Sequence, residues 1–265
     1  MAKVTITEFT DPACPFAFSA EPFRWRLSWV YGDQIDWQPR MVGLSESPDD
    51  YLAKGLTPEK LAGSLAKLST EHHMPMDTGV PRRMTATVPA CRAVVAARLH
   101  APDREASLLR QLRVRTFSGE LLDEPDTIAG AAVDAGIDPT ELGQWTASAE
   151  VADALAEDMR AARDPSPAAL ALDGKLADWS GGRRYTCPSY EIAAIDEEPI
   201  SVPGFQPLAV YEVALANAVP DADRRDPPES VAELLRWAGT PLATQEVAVV
   251  CGLDFNPARE ALGRV

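Results

Sequence analysis

A chain of 265 residues that is 46% apolar and 25% charged can bury a full core, either as one large domain or as a core with a sizeable insertion. Its formal charge of −15, from 25 basic and 40 acidic residues, opposes long-range attraction to nucleic-acid phosphates and to anionic membrane surfaces. The opening MAKVTITEF has no apolar h-region, and no apolar run approaches the roughly 20 residues of a membrane span, so a soluble cytoplasmic protein without nucleic-acid or membrane partners is expected.

The stretch VTITEF from Val4 is β-rich and short enough for a buried strand, and it runs into Asp11-Pro12-Ala13-Cys14, a turn. From Pro15 onward, Phe16, Ala20, Phe23, Leu27 and Val30 recur at helical spacing. Pro15 suits the first helical position, where its missing N–H would have had no partner, and this predicts Cys14 as the N-cap. Pro22 removes a backbone hydrogen bond inside the helix and predicts a kink near that point. After YGDQ, Ile35, Trp37 and Met41 keep a period of two, with Pro39 tolerated only at a sheet edge or a strand end. A βαβ unit accounts for residues 4–42.

From Gly43 to about Trp179 apolar residues recur at helical spacing between breakers, as in Leu61, Leu65 and Leu68 or Val151, Leu155 and Met159. Thr57-Pro58, Asp138-Pro139 and Ser166-Pro167 each pair a capping residue with a first-turn proline. The block is therefore read as all-helical. Strand chemistry returns with Tyr190, Ile192 and Ala194, an acidic turn at 196–198 and a second strand around Ile200 to Val202, which makes a hairpin. Leu208, Tyr211, Leu215 and Val219 then share one helical face.

Past the linker-like PDADRRDPP, the stretch from Ser230 reads as three short helices. Its last part has the cadence of a helix-turn-helix: a helix from Thr244, a turn at Gly252 and a second helix opening at Asn256-Pro257. Three arginines against four carboxylates give it no basic stripe for DNA, so a packing or dimerisation element is expected. A homodimer is compatible with that reading.

The order strand, cysteine-bearing helix, strand, helical block, hairpin, helix resembles the DsbA-like branch of the thioredoxin superfamily. The resemblance rests on DPACPF, YTCPSYEI and GFQPLAVYEVAL and covers about residues 1–219. It implies an α/β fold with a thioredoxin-like core (1–42 and 180–219), a large all-helical insertion (43–179) and a small C-terminal helical appendage (220–265). It also implies a cis-proline at Pro188 opposite the active cysteine, and a substrate cleft between insertion and core. The departure is Ala17, which stands where dithiol relatives carry a second cysteine. The kappa-class glutathione transferases and 2-hydroxychromene-2-carboxylate isomerases also lack that pair, and commonly have serine where this chain has Cys14.

A thiol at a helix N-terminus faces unpaired N–H groups and the positive end of the macrodipole, which favour the nucleophilic thiolate. Cys14 and Cys187 are the expected catalytic residues, with Pro15, Phe16, Thr186 and Pro188 as substrate-binding residues and no metal ligands. Without a cysteine at position 17, a mixed disulfide on Cys14 must be resolved by a small thiol (glutathione or mycothiol), by another protein, or by Cys187. Cys187 reads equally as a spacer under its loop. The leading expectation is a monothiol oxidoreductase or thiol transferase acting on a small-molecule thiol or disulfide, with no tightly bound cofactor. The alternatives are an isomerase or transferase with a bound thiol cofactor, and a non-catalytic binding or redox-sensor protein.

The other candidates have plainer readings. Cys91 and Cys251 are expected as small buried hydrophobes. Adjacent His72 and His73 point about 100° apart on a helix and are expected to be solvated or capping. Met74 and Met76 suit either core or cleft. The pairs Arg82-Arg83 and Arg183-Arg184 are expected to be solvated, although the second lies just before Pro188 and could attract the carboxylates of a thiol cofactor.

Overall fold

The computed structural model describes residues 3–265. β1 (Val4–Thr10) is central in a four-stranded sheet, parallel to β2 (Ile35–Met41) and antiparallel to β5 (Ser189–Ala194), which in turn pairs antiparallel with β6 (Ile200–Val202), giving the order β2-β1-β5-β6. The edge position of β2 is what admits Pro39, whose absent N–H would break a ladder on an inner strand. By the two-residue period, Val4, Ile6, Glu8 and Thr10 share one face of β1. The first two enter an apolar cluster with Leu27, Tyr31, Tyr211 and Leu215.

The helix after Cys14 is divided into α1 (Pro15–Ser19) and α2 (Glu21–Tyr31), with Ala20 between them and Pro22 in the first turn of α2. The interruption expected near Pro22 is thus a change of helix two residues earlier, because proline is tolerated in a first turn and not inside one.

Between β2 and the hairpin lie α3 (Pro48–Ala53), α4 (Pro58–His72), α5 (Val88–His100), α6 (Glu105–Phe117), α7 (Pro125–Asp134), α8 (Pro139–Thr146), α9 (Ala149–Ala162) and α10 (Pro167–Leu170). α5 is buried nearly all round, with Ala90, Cys91, Ala93, Val94 and Val95 inaccessible. Its small residues let α6, α8 and α9 close on it from three sides, which explains why it shows almost no amphipathic stripe. Thr57, Asp138 and Ser166 accept the expected capping bonds at the starts of α4, α8 and α10, and Ser148 caps α9 in the same way.

Two features go beyond the sequence reading, the second being the packing role expected of the last block. The segment around Gly182 forms a separate two-stranded ribbon, β3 (Ala177–Trp179) with β4 (Gly182–Arg184), outside the main sheet. The last block, α12 (Val231–Ala238), α13 (Thr244–Cys251) and α14 (Phe255–Leu262), follows α11 (Leu208–Ala218) and is packed on α2. There Trp29 sits with Val231, Leu234, Val247, Val250 and Ala258, and Arg26 donates to the Val250 carbonyl at 3.0 Å. The linker is pinned as well, since Trp29 donates to the Asp226 carbonyl at 2.8 Å and the Arg225 guanidinium lies 3.5 Å from the Trp29 ring centroid.

A buried ionic cluster locks these parts together. Arg113 of α6 donates to Glu8 at 3.1 Å and also to Glu21 and Thr10, while Arg24 meets Glu8 at 2.6 Å. Arg110 donates to both oxygens of Glu246 on α13, at 2.7 and 2.9 Å, and to Glu21 at 3.3 Å. Burial pushes the Glu21 carboxyl up, but Arg113, Arg110 and Arg24 together outweigh it and hold the group below the usual range. Three arginines thus neutralise three carboxylates inside the protein, and removing one member strands the others.

Candidate active site: a thiol pair at the strand to helix junction

The turn that presents Cys14 is tied down by its own aspartate. Asp11 is fully buried and accepts from the Ala13 amide, the Leu44 amide and the Thr87 hydroxyl, each at 2.9 Å, and from the Cys91 thiol at 3.4 Å. The carboxylate therefore holds together the end of β1, the segment after β2 and the start of α5. Burial raises its pKa, partly offset by the Ala13 and Leu44 amides.

Cys14 is the N-cap of α1 with extended backbone (φ −78°, ψ 115°), and Pro15 occupies the first turn. Across the junction the Cys187–Pro188 peptide is cis. As a thiol, Cys14 donates to the Cys187 carbonyl at 3.2 Å. As a thiolate it loses that bond, and its charge is favoured by the neighbouring Cys187 thiol and by the Ala17 and Phe16 amides at the start of α1, to which the thiol itself makes no capping bond. The Cys187 thiol is the largest influence on Cys14 and outweighs burial and the Asp11 charge, so its pKa is lowered. Burial first, and then donation to Cys14, pushes Cys187 well above the ordinary value. Burial likewise raises Cys91 and Cys251. Of the four thiols, all unbonded to one another, Cys14 alone is shifted toward the thiolate.

Access is narrow: Cys14 is 6% exposed and Cys187 7% exposed. They lie in an apolar cluster with Phe9, Ala17, Val42, Ala162 and Tyr185. Tyr51 of α3 lies near Asp11, Cys14, Cys187 and Cys91, and burial with their charges keeps its hydroxyl protonated. Phe16 is 41% exposed beside the thiol. Its ring lies 6.0 Å from Phe205 and 6.4 Å from His72, and His72 lies 4.7 Å from Phe205. These three form an aromatic rim.

The loop before β5 carries the other expected residues. Thr186 turns its hydroxyl onto the Lys175 carbonyl at 2.8 Å, and its own carbonyl accepts from Ser189 at 2.7 Å, so its side chain serves loop geometry. Pro188 is buried between Cys187 and β5. Tyr185 stacks on Phe9 with centroids 4.0 Å apart and donates to Glu191, which also accepts from Ser166 at 3.0 Å.

The plainer readings resolve as follows. His73 ends α4 in the left-handed conformation, whereas His72 joins the rim. Met74 and Met76 pack with Phe18 and Phe117. Arg82 and Arg83 bond Glu124 and Asp123. Arg183 is held by Asp173 and Asp178, whereas Arg184 makes no ion pair among the described residues. Sequence reasoning missed Asp11 and Tyr51. Asp11 was read only as a turn former, although an acid three residues before a helix-capping thiol was the available signal.

Among the described residues no group of histidines, cysteines or carboxylates is placed to hold a metal, and no helix is long and apolar enough to cross a membrane. Chemically, the site offers one thiolate-biased sulfur at a helix start and a second thiol beside it. That set can attack a disulfide sulfur and form a mixed disulfide.

Several known proteins are similar to this chain in sequence or fold. The chain is 27% identical over 270 residues to the ClpXP adapter protein SpxH of Halalkalibacterium halodurans, covering 98% of this chain and 82% of that protein. The cytosolic disulfide reductase DsbM from Pseudomonas aeruginosa superposes with a TM-score of 0.55 at 16% identity, covering 81% of this chain and 100% of that one. A Streptomyces coelicolor protein described as a probable DsbA oxidoreductase gives 0.59 at 19% identity, over 86% and 94% of the two chains. Both superpositions show a shared fold. Residues 5–168, more than half of the sequence and including the whole Cys14 junction, match the DSBA-like thioredoxin domain, and the chain belongs to that family.

Proposed function

We propose that this protein is a cytoplasmic thiol–disulfide exchange protein in which Cys14 is the nucleophile. The observation that carries the reading is the 3.2 Å contact between the Cys14 thiol at the start of α1 and the Cys187 carbonyl before Pro188, which sets a second thiol residue beside the helix-capping one. Family membership supports an oxidoreductase role in general. Ala17 removes the usual partner, so the Cys14 thiolate attacks a disulfide, forms a mixed disulfide and expels the other half as a thiolate. A low-molecular-weight thiol such as glutathione or mycothiol, or Cys187, then resolves it. Pro15 and Phe16 with the loop 186–188 border the approach.

The test is reduction of a small disulfide by wild type, Cys14→Ser and Cys187→Ser in the presence of excess small thiol. Loss of turnover in Cys14→Ser is expected; turnover equal to wild type overturns the proposal. A second reading is a non-catalytic adapter, favoured by the relative named for ClpXP adapter activity and by the 6% exposure of Cys14. It predicts that Cys14→Ser leaves partner binding intact while wild type turns over no disulfide.

A further inference from the structure

One helix of the insertion borders the thiol site while being held by little else. α4 turns Ala62, Leu65 and Leu68 inward and leaves Ser64, Lys67 and Glu71 exposed. Its principal neighbour among the helices and strands is α1, the helix that Cys14 caps. Phe18 of α1 clusters with Leu65 and Leu68, whereas Phe16, two residues nearer Cys14, meets His72 at 6.4 Å. α4 therefore runs toward the Cys14 end of α1 and stops there. Residues 73–87 follow it without helix or strand, a connection of the length that lids use.

What holds the end of α4 comes from the far end of the chain. His73 stops the helix at φ 55°, a left-handed conformation uncommon for a residue with a Cβ. Its ring lies against Phe255, the first residue of α14, with centroids 5.0 Å apart and planes 31° apart. Just before α13, Ala243 joins the cluster of Phe18, Met74 and Met76 that follows this turn. The C-terminal block is itself anchored elsewhere, by Trp29 in its core and by Glu246 on Arg110, so it is a fixed post on which the end of α4 rests. One residue earlier, His72 lies 4.7 Å from Phe205 and completes the rim beside the thiol.

We propose that α4 is a lid on the thiol site and that the C-terminal block latches it through Phe255 on His73, which makes both of these positioning residues. Latched, His72 is kept against Phe205 and Phe16, and Cys14 keeps its 6% exposure, so that slender reactants are admitted and bulky ones excluded. Released, the end of α4 lifts. Access for a bulky reactant scales with the population of the open form, and the aromatic contact holds that population down. The tail thus sets which reactants reach Cys14 by their size. The inference rests on the reading of Cys14 as the reacting thiol and adds the control of its access.

The experiment measures alkylation of Cys14 by N-methylmaleimide and by N-cyclohexylmaleimide, which share a reacting group and differ in bulk, with peptide mapping to separate Cys14 from Cys251. The readout is the ratio of the bulky to the small rate in wild type, Phe255→Ala, Phe255→Tyr, His73→Gly and the variant carrying both Phe255→Ala and His73→Gly. Glycine adopts the left-handed turn without strain, so His73→Gly removes the ring and keeps the helix end. The ratio is expected to rise about two- to tenfold in Phe255→Ala and in His73→Gly, the range that loss of one aromatic pair allows. It should stay near wild type in Phe255→Tyr, and rise no further in the double variant than in either single one. The pH midpoint of Cys14 alkylation should not move, because neither ring is among the groups acting on that thiol. A ratio unchanged in both single variants, effects that multiply in the double variant, or a rise explained by a shifted midpoint overturns the latch. If the ratio rises as expected but Cys14 exchanges with no disulfide, the exchange reading fails and the latch stands.

Discussion

Replacing Cys187 with alanine should raise the pKa of Cys14, because the Cys187 thiol is the largest single influence favouring the Cys14 thiolate. A hydrogen bond to a charged group is worth about 1.5–3 kcal/mol, and one pKa unit corresponds to about 1.36 kcal/mol, so the upward shift is about 1–2 units. The Ala17 and Phe16 amides at the start of α1 still favour the thiolate, which sets the shift at the lower part of that range. Cys187→Ser keeps a donor in place and should leave the midpoint below that of the alanine variant. The assay is the iodoacetamide alkylation rate of Cys14 against pH, with peptide mapping to separate it from Cys251. Linkage gives a second readout. A thiol whose folded pKa lies below its unfolded value contributes stability in full above the unfolded value, near 9.0, and loses it as pH falls through the lowered folded value. Cys187, with its pKa raised, acts oppositely: its contribution is complete below the unfolded value and is lost as pH rises through the folded one. Below pH about 9 the rise of stability with pH should therefore flatten in Cys187→Ala. An alanine-variant midpoint equal to or below that of wild type would refute the reasoning.

Three further outcomes follow from the same geometry. Asp11→Asn removes a negative charge that disfavours the Cys14 thiolate, so the alkylation midpoint should move down. Because an amide nitrogen then faces a backbone donor, stability should drop by about 1–3 kcal/mol in urea unfolding; a midpoint that moves up contradicts this. Arg113→Met leaves Glu8 and Glu21 buried with one cation fewer, and its expected destabilisation is about 3–5 kcal/mol by the same method. Glu246→Gln breaks the two-pronged contact with Arg110, so amide exchange should quicken first in α13 and α14 while α5 stays protected; uniform quickening would show that the clasp is not local.

Much of this protein is written in local signals. The β-branched run at Val4, the proline after Cys14 and the alternation at Tyr190 each depend on near neighbours, and the corresponding elements appear where those neighbours put them. The edge placement of β2 was legible because Pro39 forbids an inner strand. What was hidden depends on partners far apart in the chain. Asp11 meets Thr87 and Cys91, and Arg110 meets Glu246, across separations of 76, 80 and 136 residues. No periodicity encodes such pairs. The tail looked like an appendage for the same reason: its apolar faces are ordinary, and only the folded chain shows them on Trp29. Arg184 was legible as one of a basic pair, but the sequence could not say which of the two would be neutralised by Asp173 and Asp178.

The central claim is that Cys14 is the exchanging thiol, and its most direct test is mass mapping of the reduced full-length protein after brief exposure to a small disulfide. The account predicts that the first modification is at Cys14, either as a mixed disulfide or as a bridge to Cys187 with loss of two hydrogens. It also predicts that Cys187→Ser accumulates the mixed disulfide and that Cys14→Ser shows neither product. First modification at the half-buried Cys251, with Cys14 unreacted, would contradict it.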